Sequence, residues 1–319
     1  MLRETLVFLS RNKTARKVVT HARFARSASR RFVAGETVDE GIAAAHKLNE
    51  QGLAVSIDYL GESVQSREDA RAAADVMIRV LDRIVAEKLD ANISIKLTQM
   101  GQDIDTAFLR ENVARLLDGA RAADIFVRFD MESSDYVQKT LDFFRALWTD
   151  GYHNIGIVLQ SYMLRSEADA TMASELGARV RLCKGAYVEP ATVAYQDKPD
   201  VDRNYIALTK LLVEHGTYPG IATHDPEMID ATCQFAKEHD IAKDRFEFQM
   251  LYGVRRDLQQ ALVKNGYHVR VYVPFGEAWY PYLMRRMAER PANMFFIVNN
   301  VIRESPLGRL SGHHNGRGA

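Results

Sequence analysis

The chain has only two cysteines, Cys183 and Cys233, far apart and in no metal-ligand or redox spacing. That argues against a disulfide scaffold and a cysteine-based zinc site, and reads as two reduced core thiols of a cytosolic protein. No apolar run approaches the roughly 20 residues needed to span a bilayer. There is no excess charge of either sign, with 42 Lys and Arg against 42 Asp and Glu. Bulk charge therefore points to no nucleic acid and no acidic partner. Also missing are a G-x-G-x-x-G phosphate turn, an internal repeat and a low-complexity tract. What remains, 47% hydrophobic and 26% charged residues, is the composition of a soluble globular protein.

The balance fails locally. Residues 1–34 carry Arg3, Arg11, Lys13, Arg16, Lys17, Arg23, Arg26, Arg30 and Arg31 against a single acid, Glu4. An Arg-rich, acid-poor start fits a transit peptide, a membrane-surface helix or a solvated basic cap. It has no apolar h-region or small-residue cleavage site, which argues against a secretory signal. The expected location is cytoplasmic, with peripheral contact on the inner membrane face as one use of the basic start.

Eight β-like runs alternate with amphipathic segments. The runs are 54–61, 92–100, 125–132, 155–163, 179–187, 220–225, 246–253 and 269–276. The helical segments include 66–88, 106–122, 136–148, 165–176, 203–215, 227–239 and 255–264. Strict alternation predicts a parallel sheet, and eight units at this length predict a (β/α)8 barrel. An open doubly wound sheet is the alternative, but the first turn, "DYLGES", is not its phosphate loop. The expected layout is a helical segment over 1–50, a distorted barrel over 51–305 with its last helix over the mouth, and a disordered tail over 306–319.

Within the runs, apolar and polar residues alternate, so the two faces differ. Val55, Ile57 and Tyr59 oppose Ser56 and Asp58; Val127, Phe129 and Met131 oppose Arg128, Asp130 and Glu132. If apolar faces meet the helices, the polar faces fill the barrel. Four acids (Asp58, Asp130, Glu132, Glu247) then face four bases (Lys96, Arg128, Arg181, Arg270), and equal numbers predict mutual pairing. Arg128, Glu132, Glu247 and Arg270 read as filling. Candidates at C-terminal strand ends, where barrel active sites lie, are Asp58, Lys96, Asp130, Gln160, Arg181 to Tyr187, Thr223, His224, Tyr252 and Tyr272.

The stretch "WYPYLMRRMAERPANMFF" (279–296) places Arg285 and Arg286 in an apolar-aromatic helix. Arginine cannot neutralise itself to escape burial. Either the doublet faces solvent or it meets an anion. Glu289, one helical turn on, can offset part of the charge. Because this helix follows the last strand, its early turns lie near the mouth, and a small carboxylate fits two guanidinium forks. Tyr187, Leu251, Tyr272 and Tyr282 are candidate apolar walls, which suits a compact amino or keto acid.

"YLMRRMAERPAN" (282–293) closely resembles the signature of the proline dehydrogenase family. "SIKLTQ" (94–99), "RLCKGAY" (181–187), "IATHD" (221–225) and "YVPFG" (272–276) resemble its other blocks, in family order, over residues 1 to about 305. The likeness is to short monofunctional bacterial forms, with no room for a fused aldehyde dehydrogenase. It implies non-covalent FAD and oxidation of L-proline to Δ1-pyrroline-5-carboxylate, with electrons passed to a membrane quinone. A separate pyrroline-5-carboxylate dehydrogenase would then act downstream. Carried over by motif, Arg285, Arg286 and Lys96 grip the proline carboxylate; the candidate walls Tyr187, Leu251 and Tyr282, with Glu289, complete the expected substrate pocket. Asp130, Arg181 and Tyr272 match positions important to catalysis. Met131, Gln160, Arg181, Lys184, Gly185, Ala186, Thr223 and His224 match flavin contacts, and no metal is implied. Cys183 replaces a valine common in its block, one small apolar residue for another. Asp130 stays open between base and ion-pair partner, and His224 between base, metal ligand and flavin contact. Two rival readings are a Schiff-base aldolase using Lys96 or Lys184, and a non-catalytic amino-acid-binding protein.

Overall fold

Polar–apolar alternation becomes a closed barrel in the computed structural model, which describes residues 29–289, with side chains to Arg286 in the last helix. Eight parallel strands pair in sequence order and close on themselves. They are β1 (Ala54–Tyr59), β2 (Ala91–Ile95), β3 (Val127–Phe129), β4 (Ile155–Gln160), β5 (Arg179–Cys183), β6 (Gly220–Ala222), β7 (Glu247–Leu251) and β8 (His268–Phe275). Helix α1 (Val38–Asn49) precedes them. Helices α2 (Arg67–Ala86), α3 (Thr106–Ala122), α4 (Ser134–Thr149), α5 (Ser166–Glu175), α6 (Lys198–His215), α7 (Pro226–Glu238) and α8 (Arg256–Lys264) follow β1 to β7 in turn, and α9 (Trp279–Glu289) follows β8.

Local sequence starts these helices where the topology needs them. Thr37 and Glu40 form a reciprocal capping box at the start of α1. Ser66 caps α2 and Asp105 caps α3 through their side chains, and Asp225 followed by Pro226 opens α7. The outward strand residues Val55, Ile57, Ile93, Val127, Phe129, Ile157, Phe248 and Val271 are sealed against the helices in one continuous core. The inward residues Ser56, Asp58, Ser94, Arg128, Arg181, Glu247 and Gln249 are buried as well, so the barrel has a polar interior inside an apolar shell.

The eighth unit departs from the simple pattern. After β8 the chain turns at Gly276, in the left-handed region at φ 123°. A Cβ there would lie 2.9 Å from the Tyr59 ring. Helix α9 then does not cover the outside of β8. Its Trp279, Tyr280, Tyr282, Leu283 and Met284 form a second apolar cluster with Phe32, Val33, Leu60 and Val254, against Leu251 and Tyr272. The vacated outer position is taken by α1, which packs on β1 and β8. Gly41 of α1 lets the helix sit close to Phe275, since a Cβ there would be 3.2 Å from the ring. This exchange is the distortion of the barrel, and it puts the arginine doublet over the mouth.

Several strands end earlier than the alternation predicts. Ladders stop at Ile95, Phe129, Cys183 and Ala222. Lys96, Asp130, Lys184, Thr223 and His224 therefore sit in the first residues of the βα loops. The polarity pattern runs on past the last ladder bond because these side chains still face inward or upward at the mouth. The basic residues before position 29, the tail over 306–319 and the Glu289 side chain lie outside the described residues.

Candidate active site

Arg181 stands near the barrel axis and reaches across it. From β5 its Nη1 donates to Asp130 Oδ1 at 2.7 Å, and its Nη2 lies 3.2 Å from both Ser56 Oγ and Ser94 Oγ. Its Nε donates to Gln249 Oε1. One guanidinium thus ties together β1, β2, β5, β7 and the residue after β3. Asp130's other oxygen accepts from Tyr272 Oη at 2.7 Å and lies 3.9 Å from Lys96 Nζ. Lys96 itself donates to Asp58 Oδ1 at 2.8 Å. Tyr272 is walled by the Arg181 guanidinium, 5.2 Å from its ring centroid.

The protonation states follow from these contacts. Burial pulls the Lys96 ammonium down, but the charges of Asp58 and Asp130 more than offset it and hold its pKa above the ordinary lysine value. A Schiff-base nucleophile must be neutral, and Lys96 is held charged. Lys184 is also committed, with Nζ 2.5 Å from Asp202 and 2.8 Å from Asp225. The aldolase alternative thus loses its chemistry. Burial, reinforced by Asp130 and Asp58, pushes the Tyr272 phenol well above its usual range, so it is a neutral donor.

The expected pairing of four acids with four bases is corrected in one respect. Arg270 pairs with Glu247, Arg181 with Asp130 and Lys96 with Asp58. Arg128 instead donates to the carbonyls of Ile157 and Arg179, at 3.1 and 3.2 Å. Glu132 accepts from the Thr98 hydroxyl at 2.8 Å and the Thr98 amide at 3.4 Å. Equal numbers do not force pairing because backbone and hydroxyl groups compete as partners.

Glu132 carries a pH consequence. Burial raises its carboxyl to about 7, against the Thr98 hydrogen bond. A carboxyl whose folded pKa exceeds its unfolded value binds its proton more tightly when folded. Its contribution to stability is therefore full at low pH and lost as pH rises toward 7. Glu132→Gln removes the ionisation. Relative to wild type, its stability should be nearly equal near pH 4.5 and higher by about 2–3 kcal/mol at pH 8, measured by urea denaturation.

Over this base sits α9. Arg285 Nη1 meets Glu62 Oε1 at 2.8 Å, on the loop between β1 and α2. Arg286 stacks over the Tyr282 ring, 5.2 Å from its centroid. Both arginines are half-buried, not directed into bulk solvent. Glu62 was not among the sequence candidates; it lies far from the doublet in sequence, and no local periodicity links the two. Leu251 and Tyr272 line the underside of the α9 cluster. Tyr187 is half-buried; burial raises its phenol, and the charges acting on it come from Arg285, Glu62, Glu132 and Lys96, which places it among the mouth residues.

The expected cofactor residues line the opposite rim. Gly185 follows β5 in the left-handed region at φ 113°, and a Cβ there would lie 2.4 Å from the Tyr162 ring. A cavity of about 220 Å³ lies beside Lys184, Gly185 and Tyr187 and extends to Lys198 and Asp202. Gln160 donates to the Glu132 carbonyl at 3.3 Å, and its Oε1 is buried with no partner among the described residues. Met131 is buried close by in the chain, and Ala186 is half-buried. Thr223 Oγ1 accepts from the Asp225 amide at 3.1 Å. His224 Nε2 accepts from the Leu251 amide at 2.8 Å, which leaves Nδ1 as the protonated nitrogen of the neutral ring. Among the described residues no cluster of His, Cys, Asp or Glu could hold a metal ion.

Comparison with known proteins agrees with this geometry. The family model described as Proline dehydrogenase matches residues 42–299. The chain belongs to the proline dehydrogenase family. It is 41% identical over 302 residues to proline dehydrogenase 2 of Bacillus subtilis (strain 168), covering 95% of this chain and 99% of that protein. It is 42% identical over 277 residues to proline dehydrogenase of Deinococcus radiodurans, covering 86% of this chain and 89% of that one. Among solved structures, proline utilization A (PutA) from Bdellovibrio bacteriovorus, inactivated by N-propargylglycine, superposes with a TM-score of 0.78 at 25% identity. That likeness covers 90% of this chain and 35% of the larger protein, so this family member spans about a third of it. The barrel is the fold shared with that structure.

Proposed function

We propose that this proline dehydrogenase family member oxidises L-proline to Δ1-pyrroline-5-carboxylate with FAD and passes the electrons to a membrane quinone. The observation that carries the reading is the placement of Arg285 and Arg286 over a mouth that also holds Lys96 and Tyr272. Three fixed cations at one end of a small, partly apolar space suit a carboxylate on a compact ring.

The residues on the opposite rim fit the cofactor. Gly185 leaves the backbone open where a side chain would collide, and Gln160 offers a buried acceptor that a heterocyclic N–H can use. Met131, Gln160, Arg181, Lys184, Gly185, Ala186, Thr223 and His224 would hold it. When bound, FAD supplies the two-electron acceptor for the hydride lost from proline C5. The chain supplies orientation. Arg285, Arg286 and Lys96 take the carboxylate in charge-assisted hydrogen bonds worth about 1.5–3 kcal/mol each. Tyr187, Leu251, Tyr272 and Tyr282 pack the ring, exclude water and fix the direction of C5. Asp130 has one oxygen taken by Arg181 and the other by Tyr272, so it acts as a fixed anion that keeps both in place.

The product is a cyclic imine in equilibrium with an open aldehyde, which a separate dehydrogenase would consume. The basic residues before position 29 would meet anionic lipid where the quinone resides. The test is a visible spectrum of the purified protein before and after anaerobic L-proline. A yellow protein bleached by proline supports the reading. A colourless protein that binds proline would instead make it an amino-acid-binding protein.

A further inference from the structure

The segment between β5 and α6 carries residues assigned to both cofactor and substrate, Gly185 and Ala186 on one rim and Tyr187 in the wall. It is held down by a side chain not yet given a role. Val188 is 59% exposed, but the next residue, Glu189, is only 9% exposed. A buried carboxylate needs donors. Those of Glu189 come from the start of α4, 55 residues earlier in the chain. The Ser134 amide donates to its Oε1 at 2.9 Å, and the Ser134 hydroxyl donates to its Oε2. Ser133, at the N-cap position of α4, makes no side-chain cap hydrogen bond. Glu189 therefore does the work of a local cap, and its charge meets the positive end of a 16-residue helix.

Tyr162 adds a second, independent observation. Its ring is what a Cβ at position 185 would strike, at 2.4 Å, and its hydroxyl lies 3.5 Å from Glu189 Oε1. Burial first, and then the charge of Glu189, pushes this phenol well above its usual range, so it stays a donor. The Tyr187 amide, hydrogen-bonded to the same hydroxyl, opposes the rise. One hydroxyl thus gives its hydrogen toward Glu189 and accepts from Tyr187. The Tyr162 backbone ties the ends of the segment: its amide donates to the Lys184 carbonyl at 3.0 Å, and its carbonyl accepts from the Tyr195 amide at 2.8 Å. Beyond Glu189 the chain folds back, with the Pro190 carbonyl accepting from Val193 and Ala194, both at 3.1 Å. The ends rest on Tyr162, and the middle rests on α4 through one carboxylate.

We propose that Glu189 is a positioning residue: by capping α4 from a distance and orienting the Tyr162 hydroxyl, it fixes residues 185–189 and so holds Tyr187 toward the substrate and the backbone of Gly185 and Ala186 toward the cofactor. The inference deepens the proposed function and rests on its assignment of those three residues. The dock can also be cut from the helix side. Ser134 is the first residue of α4, where proline is tolerated because that amide has no partner within the helix. Ser133 has φ −66° and ψ 167°, the extended conformation that a following proline favours. Ser134→Pro therefore removes both donors to Glu189 and keeps the helix. Glu189→Gln keeps the shape and an acceptor for the Ser134 amide, and removes only the charge.

The experiment combines hydrogen–deuterium exchange over 185–189, FAD release on dilution read by flavin fluorescence, and steady-state proline kinetics on holoenzyme. Glu189→Ala and Ser134→Pro should each speed exchange over 185–189 by about tenfold or more, with the amides of α7 unchanged. Each should speed FAD release and raise the proline KM by about 2–12-fold, the cost of re-ordering a freed side chain on binding. Turnover at saturation should change by less than about twofold, since the dock touches no reacting atom. Glu189→Gln should lie nearest the wild type in all three measurements, and Glu189→Ala/Ser134→Pro should match either single variant. Wild-type exchange over 185–189 in Glu189→Ala, exchange speeded equally in α7, or effects that add in the double variant would overturn the proposal. Should Glu189→Ala not fold, Ser134→Ala, which deletes one donor, decides by the same exchange comparison. Failure of the underlying reading is separate: the wild type would then bind no FAD, while exchange over 185–189 would still respond to Glu189→Ala.

Discussion

Arg181→Met should destabilise the protein by about 3–5 kcal/mol and cut proline turnover by two or more orders of magnitude. The magnitude comes from what the guanidinium leaves behind, not from the strength of its own bonds. Removing one partner of a buried ion pair strands the other charge, and that is the costly event. Asp130 would lose the Arg181 contact at 2.7 Å and keep only Tyr272 and a cation 3.9 Å away. Gln249, Ser56 and Ser94 would each lose a donor inside the barrel. The interior would then relax around Tyr272, whose hydroxyl and ring are both held by this network, and the substrate space would lose its shape. Two comparisons isolate the cause. Arg181→Met/Asp130→Asn should recover a large part of the lost stability in urea denaturation, because no carboxylate is stranded. Turnover should not recover with it. If the double variant is as unstable as the single one, the loss is packing alone.

The same residues show where sequence reasoning reaches and where it stops. A period of two makes the inward face of every strand legible, because one slip would invert the burial of all its side chains. Arg181, Asp58 and Tyr272 were therefore readable as interior residues. Helix α9 was readable as a lid because it follows the last strand and carries aromatic residues with two permanent charges. The ends of β2, β3 and β6 were not readable, since Lys96, Asp130 and Thr223 continue the polarity pattern after the hydrogen-bond ladder has stopped. Partners distant in sequence were hidden altogether. Glu62 is brought to Arg285 by closure of the barrel between β1 and β8, and Asp202 with Asp225 to Lys184 by the pairing of β5 with β6 and the packing of the helix between them. The move of α1 into the outer place beside β8 was equally invisible, because its amphipathic face would serve any apolar surface. Pairing by count failed at Arg128 and Glu132 for a related reason: backbone carbonyls and a threonine hydroxyl carry no charge to be counted.

Arg286→Met should raise the proline KM by about 10–150-fold, the loss of one charge-assisted contact worth about 1.5–3 kcal/mol. Arg285→Met should raise it less, although the two arginines are neighbours. In the wild type Arg285 must exchange Glu62, at 2.8 Å, for the substrate, so part of its interaction with proline is offset in advance. Arg286 lies over the Tyr282 ring, which still packs the guanidinium when a carboxylate arrives. Arg286→Lys should recover only part of the loss, because an ammonium keeps the charge but not the planar fork. The double variant Arg285→Met/Arg286→Met should leave Lys96 as the sole remaining cation of the three proposed for the carboxylate, and saturation with proline should no longer be reached at millimolar concentrations. The sign of Glu62→Gln is the sharper discriminator. Were the doublet a structural anchor for α9, removing its carboxylate partner would loosen the lid and raise KM. Were the doublet a carboxylate grip, the same change would free Arg285 and lower KM. Steady-state kinetics on Arg285→Met, Arg286→Met and Glu62→Gln, with urea denaturation of each, therefore separate anchoring from binding by direction as well as by size.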